Sequence, residues 1–317
     1  MLVPLVICTL LFYSVSHSFL SYNSVASMLR AMAFVGIIAV GQTWLMIAGE
    51  IDLSVGSVAG LCAVASSWLM KYAGWPVEAG LAAGILLGCV AGLINGIVAV
   101  RFGIPAFIAT LGMLYIARGF NYLLCKGYPI YPIPDSLKAF GRAEPTGLSW
   151  AYRSFGLAEP RGLSWAFVIF IGAVLIGDFC LRRTVFGRMV YATGGNKEVA
   201  RIAGINTDWV KLNCYMLTGA LAGVGGMLLM AQLNVGQPEI GVGWELDVIA
   251  AVVIGGVSLF GGIGTVTGTF LGLMIMQVVR SGLVVTGVNT HWQTVAVGVI
   301  MILAVGVDLL RRRTKIS

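Results

Sequence analysis

Four carboxylates lie at points where the surrounding chain is almost entirely apolar. Glu50 and Asp52 interrupt one long apolar run, and Glu245 and Asp247 stand where another begins. Because a carboxylate in hydrocarbon costs several kcal/mol, each is expected to face water, a helix end or a partner. Two interpretations remain open. Asp52 (assisted by Ser54) and Asp247 cap the helices that follow them, or these side chains line a path for a polar solute.

A second group of polar residues lies at 194–205, which reads GGNKEVARIAGI. This pattern predicts a flexible glycine lead-in, an asparagine N-cap, two helical turns and a glycine stop. Val199, Ile202 and Ala203 share one apolar face at i, i+3 and i+4 spacing. Because a helix this short is unstable alone, we expect its apolar face to dock on a cytoplasmic protein. The alternative is a helix that lies on the bilayer surface.

The residue patterns required for catalysis or metal binding are missing from the sequence. None of its six lysines completes GxxxxGK[ST], so no phosphate-binding loop is predicted. The two histidines, His17 and His291, lie at opposite ends of the chain, and the six scattered cysteines form no CxxC pair. We therefore predict no catalytic residue, no metal site and no cofactor. Any ATP hydrolysis must come from another subunit.

The composition indicates that these residues belong to a membrane protein. Of 317 residues, 58% are apolar and 10% are charged, with a mean hydropathy of +0.93. Soluble domains are about 25% charged, so a soluble enzyme is excluded. The formal charge of +7 is typical of basic cytoplasmic loops and does not indicate nucleic-acid binding.

The apolar runs predict an all-α, polytopic integral membrane protein with about ten transmembrane helices, at roughly 20 residues per crossing. The run 28–72 is long enough for two crossings, which must meet at its polar break, 49–54. At least one helix is expected to be broken or re-entrant, and the short run 246–259 is the main candidate. The other predicted spans are the amino-terminal run and 77–100, 106–124, 164–181, 209–230, 265–280 and 292–310.

Basic residues set the expected orientation, with both termini in the cytoplasm. They cluster after the last predicted span and in a predicted cytoplasmic loop, 183–209. The predicted extracytoplasmic loop, 126–163, contains most of a tandem repeat, because residues 140–154 and 155–169 are identical at ten of fifteen positions. We favour a duplication that an outer loop tolerates over a docking surface for an external partner.

Glycine is unusually frequent, with 43 residues, and recurs at every fourth position in two predicted helices. Such stripes let neighbouring helix backbones approach closely. The glycines predicted to pack helices in this way are Gly80, Gly84, Gly88, Gly92, Gly96, Gly264, Gly268 and Gly272. The pattern indicates a compact helical bundle and not a dinucleotide-binding fingerprint, which needs a βαβ unit.

Four motifs together resemble the ribose-type permease subunits of bacterial ABC importers, in the branched-chain amino acid/ribose permease superfamily. They are GEIDLSVGSVAGLCAV from Gly49, IPAFIATLGMLYIARG from Ile104, GGNKEVARIAGI from Gly194 and GWELDVIAAVVIGGVSLFGGIGTVTGT from Gly243. The resemblance extends over essentially the whole chain, in the same order. It implies that residues 1–317 form a single transmembrane permease domain, in which the tandem repeat departs from the family pattern.

The resemblance implies a permease of the bacterial cytoplasmic membrane that pairs with a second copy or a close paralogue. A separate cytoplasmic ATPase would bind ATP and drive transport, and an extracytoplasmic binding protein would deliver a monosaccharide such as ribose. The predicted short helix would be the coupling helix that docks on the ATPase, formed by Gly194, Gly195, Asn196, Glu198, Val199, Ala200, Ile202, Ala203, Gly204 and Ile205. The translocation pathway would lie near Glu50, Asp52, Ser54, Glu245 and Asp247.

Two other function classes remain open. An ion-coupled secondary transporter would use Glu50, Asp52 and Asp247 as coupling carboxylates. A membrane scaffold would need no carboxylates at membrane depth. Within the importer class, a nucleoside or a branched-chain amino acid is the alternative solute to a sugar.

Overall fold

The computed structural model describes residues 1–137 and 164–289, together with 291–293, 295, 296, 298, 299, 302 and 306. Within the ranges 1–137 and 164–289 the regular structure is helical, and the one extended pairing is an isolated bridge between Ile130 and Gly236. A short 3-10 turn follows the first helix. The α-helices are α1 Leu2–Val15, α2 Tyr22–Ile47, α3 Val55–Tyr72, α4 Val77–Val100, α5 Ala106–Cys125, α6 Trp165–Arg183, α7 Val185–Gly195, α8 Lys197–Ile202, α9 Thr207–Leu233, α10 Trp244–Ile254 and α11 Val266–Val285.

Six of these helices are long and apolar enough to cross a membrane: α2, α4, α5, α6, α9 and α11. Helix α10 has 11 residues, or about 16 Å of helix, which is roughly half of a hydrocarbon core. The described residues therefore form an all-α protein with several membrane-spanning helices. Most of the predicted span 292–310 and of the tandem repeat 140–169 lies outside the described residues.

The polar break in the run 28–72 separates two helices, as the sequence predicts, but its bounds differ. Helix α2 ends at Ile47, and Gly49 adopts a left-handed conformation (φ 84°) that favours glycine. Helix α3 starts at Val55, with Ser54 as its N-cap residue. A helix capped by Asp52 would begin at residue 53, so α3 begins two residues later than that interpretation requires.

Helices α2 and α9 form the centre of the bundle. About two thirds of the apolar window of each is buried, against 22–39% for the other four spanning helices. Helix α9 packs against α2, α3 and α4, and α2 also packs against α6, α10 and α11. Polar groups on these two helices are therefore the ones most shielded from lipid.

Glycine stripes allow this close packing. A Cβ atom on any of the eight predicted packing glycines would come within 3.0 Å of a neighbouring atom. Gly264, however, lies in the loop before α11 with φ 151° and faces the Val257 side chain, so its predicted place in a helix stripe is wrong. Gly88 faces the backbone of Gly219, and Gly92 faces the backbone of Tyr215, so α4 and α9 pack backbone to backbone. Gly272 of α11 faces the backbone of α10 in the same way. The glycine spacing therefore fixes which faces of these helices meet.

Candidate functional site

Glu50 connects the break between α2 and α3 to the central helix α9. Its Oε1 accepts a hydrogen bond from Lys211 Nζ at 2.5 Å, and its Oε2 accepts one from the Tyr215 hydroxyl at 3.1 Å. The Glu50 and Lys211 side chains are only 14% and 10% exposed. This ion pair gives the Glu50 carboxylate a partner that the sequence analysis did not identify.

Replacing Lys211 with methionine is expected to lower the free energy of unfolding by about 3 kcal/mol, because Glu50 would remain buried without its cation. The double variant Glu50→Gln/Lys211→Met should recover part of that loss. Denaturant unfolding of the detergent-solubilised protein measures both. As a control, Lys197→Met removes an exposed contact to Asp208 (3.7 Å) and should change stability by less than about 0.5 kcal/mol. Equal losses in the single and double variants would contradict the coupling.

Asp52 lies in a separate buried network that fixes the break to α4. Its Oδ1 accepts hydrogen bonds from the Ser54 backbone N–H (2.7 Å) and hydroxyl (2.6 Å). Asn95 Nδ2 of α4 donates to Asp52 Oδ2 at 3.2 Å and to Ser54 Oγ at 2.9 Å. All three side chains are almost fully buried.

Asp52 thus binds the N-cap residue of α3 and not the first-turn N–H groups, so the simple capping interpretation is wrong. The sequence analysis missed Asn95, although it is an amide in an otherwise apolar stretch.

The two carboxylates at the start of α10 have different surroundings. Asp247 forms an ion pair with Arg280 of α11. Glu245 is directed toward α3, where a Cβ on Gly56 would lie 2.5 Å from Glu245 Oε2. Helix α10 has Gly243 as its N-cap and no side-chain cap, so the capping expected of Asp247 is also wrong. The spacing of the two residues, i and i+2, sends their side chains to different faces of the helix.

The non-helical segment 234–243 leads into α10 by running along α3. Gly236 contacts Ser67, whereas Gly241 lies against Gly56 at the start of that helix. The segment therefore passes from the later part of α3 toward its first turn. Helix α10 consequently begins beside the first turn of α3, inside the bundle.

Side chains of α5 satisfy the backbone of this segment. Arg118 Nη1 donates to the carbonyls of Pro238 (2.8 Å) and Ile240 (3.2 Å), and Asn121 Nδ2 donates to Pro238 O (2.9 Å). Irregular backbone inside a bundle needs such partners because lipid offers none. Arg118 belongs to the motif from Ile104 and Asn121 follows it by two residues, but their role is a long-range contact that the local sequence does not specify.

Several buried polar atoms near these segments have no hydrogen-bond partner among the described residues. They include both amide atoms of Gln42, the Ser57 hydroxyl, Asn121 Oδ1 and Glu245 Oε2. Buried polar groups are nearly always hydrogen bonded in a resting fold. These atoms lie on α2, α3, α5 and α10 and remain available for further hydrogen bonds.

The short helix α8 exposes an apolar face. Asn196 Oδ1 accepts the backbone N–H groups of Glu198 and Val199, both at 3.0 Å, and so caps the helix as predicted. Val199 and Ile202 are 60% and 87% exposed, whereas Ala200 is buried. No described part of the chain covers this face.

The ends of α8 are well defined. Ala203 is the C-cap and is exposed, Gly204 has φ 82°, and the Ile205 N–H donates to Ala200 O at 3.0 Å. The segment immediately before α8 differs from the prediction. Gly194 and Gly195 form the last turn of α7 and are not a flexible linker, because α7 continues up to Asn196.

Glycines bring three distant segments together beside α8. Gly194 at the end of α7 lies against the carbonyl of Ile47, the last residue of α2. That carbonyl also accepts the N–H of Gly262, in the loop after α10, at 2.8 Å. Gly261 of this loop contacts Gly49 and Gly194. We call Ile47, Gly49, Gly194, Gly261 and Gly262 the glycine junction; it joins α7 to the start of the α2–α3 break and to the loop after α10.

A second set of bonds ties the start of α11 to α6 and α7. The Tyr191 hydroxyl donates to Gly264 O at 2.7 Å, and burial raises the pKa of Tyr191, so this donor stays protonated. Asp178 accepts from both the backbone N–H (3.2 Å) and the hydroxyl (2.9 Å) of Thr267, and Arg182 pairs with Asp178 at 2.9 Å. A displacement of α7 would therefore also act on α11.

Among the described residues, no cluster of three or more histidine, cysteine, aspartate or glutamate side chains is placed to hold a metal ion. The described side chains at this site form ion pairs, hydrogen bonds and packing contacts. Glu50, Asp52 and Asp247 are bound to helices α9, α4 and α11, respectively.

Comparisons with known proteins extend over nearly the whole chain. Residues 24–305 match the family described as branched-chain amino acid transport system / permease component. The L-arabinose ABC transporter permease protein of Azospirillum brasilense is 34% identical over 297 residues, which cover 94% of this chain and 83% of that protein. The ribose import permease protein of Escherichia coli K12 is 35% identical, covering 97% of this chain and 92% of that protein. The xylose transport system permease protein of the same strain is 32% identical, covering 98% and 92%. No solved structure matches the chain.

Proposed function

The chain belongs to the branched-chain amino acid transport system permease component family, and on that premise we propose that it is the permease subunit of an ATP-binding cassette importer for a monosaccharide. The observation that carries the proposal is near full-length similarity to permeases named for arabinose, ribose and xylose. A sugar is therefore better supported than the nucleoside or branched-chain amino acid alternatives. The protein is a transport subunit, and the ATP that drives transport is bound by a separate ATPase.

The proposed topology is a multi-pass protein of the bacterial inner membrane with both termini in the cytoplasm. Six spanning helices are joined by α1, α3, the half-length α10 and a last crossing near 292–310, which gives about ten crossings. Segment 234–243 with α10 is the proposed broken element, in which irregular backbone followed by a half-length helix makes up one crossing, an arrangement typical of transporter cores. Loop 126–163 would be extracytoplasmic.

Helix α8 is proposed as the coupling helix that docks on the cytoplasmic ATPase. Its exposed Val199 and Ile202 support this role, since a six-residue helix needs a partner to keep such a face out of water. The alternative, a helix on the bilayer surface, would place these side chains in lipid. Co-purification with the ATPase separates the two.

The glycine junction is the proposed route by which force on α8 reaches the pathway. Helix α7 leads directly into α8 and contacts the end of α2 and the loop after α10. A rigid movement of α7 would shift the break with Glu50, Asp52 and Ser54, and would shift α10 with Glu245 and Asp247. Backbone-to-backbone contacts transmit such movement because no flexible side chain lies between them.

The remaining proposed partners follow from the importer architecture. A second copy of the chain or a close paralogue would complete a central pathway. An extracytoplasmic sugar-binding protein would dock on the outer loops and deliver the solute. The lipid bilayer surrounds the apolar faces of α4, α5 and α6, which are only 22–33% buried over their apolar windows.

An ion-coupled secondary transporter is less well supported. The three carboxylates that it would use are already held by donors, through the ion pairs of Glu50 and Asp247 and the hydrogen bonds of Asp52. A coupling carboxylate must exchange its ion during each cycle. These contacts are better suited to anchoring the helices.

Reconstitution in proteoliposomes tests the function. The chain together with its cognate ATPase and binding protein should accumulate sugar with external binding protein and internal ATP, and replacing ATP with ADP should stop accumulation. The same chain alone, under an imposed proton or sodium gradient, should accumulate none. Sugar accumulation by the chain alone would overturn the proposal.

A further inference from the structure

A cavity of about 450 Å³ lies between α2, α9, α10 and α11. This volume falls within the range of about 300–1,000 Å³ that is typical of small-molecule sites. Its polar and aromatic lining includes Arg30, Gln232, Trp244, Asp247, Gln277 and Arg280. Among these, the sequence analysis identified only Asp247 as a site residue.

One wall of the cavity is aromatic. The Trp244 and Phe34 rings stack with centroids 6.5 Å apart and an interplanar angle of 10°. A flat indole suits the apolar C–H face of a sugar ring, and its N–H group supplies one donor at the edge. This wall would orient a ring-shaped solute without requiring a charge on it.

The other walls offer donors and acceptors together. Arg280 pairs with Asp247, so that positive charge is already neutralised. Gln232 Oε1 is buried and has no hydrogen-bond partner among the described residues. Arg30 forms no ion pair with another described residue. Sugar hydroxyls both donate and accept, and therefore match a cavity lined by both an unsatisfied acceptor and a cationic donor.

We propose that this cavity is a binding site for a neutral monosaccharide inside the permease, which the solute occupies during transport. This inference rests on the proposed function and adds the residues that contact the solute. The cavity involves the amino-terminal part of α2, the last turn of α9 and the later part of α11, which the proposed topology places on the extracytoplasmic side. The sugar would reach it directly from the binding protein.

The test uses Gln232→Leu, which removes the unsatisfied acceptor and keeps a similar volume. Purified chain in lipid nanodiscs, without partners, is titrated with D-ribose, D-xylose and L-arabinose. Binding of the preferred sugar should weaken three- to tenfold in the variant, the loss expected for one neutral hydrogen bond. Thermal stability should stay equal or rise, because an unsatisfied buried oxygen is removed. Gln293→Leu, outside the cavity, is the matched control and should bind as the unmodified chain does.

A second variant, Trp244→Leu, removes the aromatic wall and should weaken binding about tenfold. Both variants are also assayed in the reconstituted importer, where the apparent KM for uptake should rise by similar factors. Normal uptake with unchanged KM and binding in both variants would overturn the cavity while leaving the proposed function intact. Failure of the unmodified complex to transport any sugar would instead overturn the function. Binding of sugar acids in preference to neutral sugars would overturn the ligand class.

Discussion

Ile202→Glu is expected to reduce ATP-driven uptake by about a hundredfold and to abolish co-purification with the ATPase. Ile202 is 87% exposed at the end of α8, so the substitution removes almost no contact within the described chain. Burying the new carboxylate in an apolar interface without a partner costs several kcal/mol, and about 2.8 kcal/mol is a hundredfold in affinity. The defect should therefore lie in partner binding and not in folding.

Membrane content, thermal stability and ATPase retention distinguish a defect in partner binding from a defect in folding. Membrane content and thermal stability of Ile202→Glu should match those of the unmodified chain, whereas ATPase retention on an affinity column should be lost. Ile202→Leu keeps an apolar side chain and should retain uptake. Lys197→Gln changes a charge on the same helix outside the apolar face, and it should also retain uptake. Normal uptake by Ile202→Glu would show that α8 is not the docking element.

The general fold was predictable because membrane-spanning helices depend on local composition. Apolar runs of about 20 residues and the interruption at Gly49 predict helices without any knowledge of their neighbours. The short α8 was predictable for the same reason, since its cap Asn196 lies within three residues of the groups that it binds. The errors in the lead-in and in the start of α3 are boundary errors of two or three residues.

For the site, the sequence predicted individual residues but not the partners that they contact. The sequence identified Glu50 and Asp247 as unusual, but their partners Lys211 and Arg280 lie 161 and 33 residues away. Charge pairing between residues so far apart in sequence depends on how the helices pack. The glycine stripes indicate close packing, but they do not identify which helix packs against which. The cavity beside Trp244 was missed for this reason, because four helices contribute its lining.

The bonds that hold Glu50, Asp52 and Asp247 suggest how one movement of α7 affects both the α2–α3 break and α10. Glu50 and Asp52 bind α9 and α4, so the α2–α3 break follows those helices. Asp247 binds α11, whose first turn is bound to α6 through Thr267 and Asp178. At the glycine junction α7 packs directly on the backbone of the end of α2 and of the loop after α10, in addition to its side-chain contacts through Phe186 and Tyr191. A change confined to that junction should therefore have a larger effect than the loss of any single anchor.

Gly194→Ala is expected to be the most damaging glycine-to-alanine substitution among the described residues. A Cβ at Gly194 would overlap the carbonyl oxygen of Ile47 and would lie 2.7 Å from the backbone nitrogen of Gly262. These are backbone atoms, which cannot rotate away, and the same carbonyl accepts the Gly262 N–H. Overpacking of this kind typically lowers stability by about 1–3 kcal/mol, and occasionally by more. We expect the free energy of unfolding to fall by about that amount and ATP-driven uptake to fall at least tenfold.

The adjacent glycine provides the matched control. A Cβ at Gly195 would meet no atom within 4 Å, and Gly195 is a helical residue without a positive φ. Gly195→Ala should therefore be neutral, or stabilise α7 by up to about 0.5–1 kcal/mol through lower backbone entropy in the unfolded chain. Denaturant unfolding in detergent and uptake in proteoliposomes measure both variants. If Gly194→Ala matches Gly195→Ala in both assays, α7 is not held against α2, and the route from α8 to the carboxylates must run elsewhere.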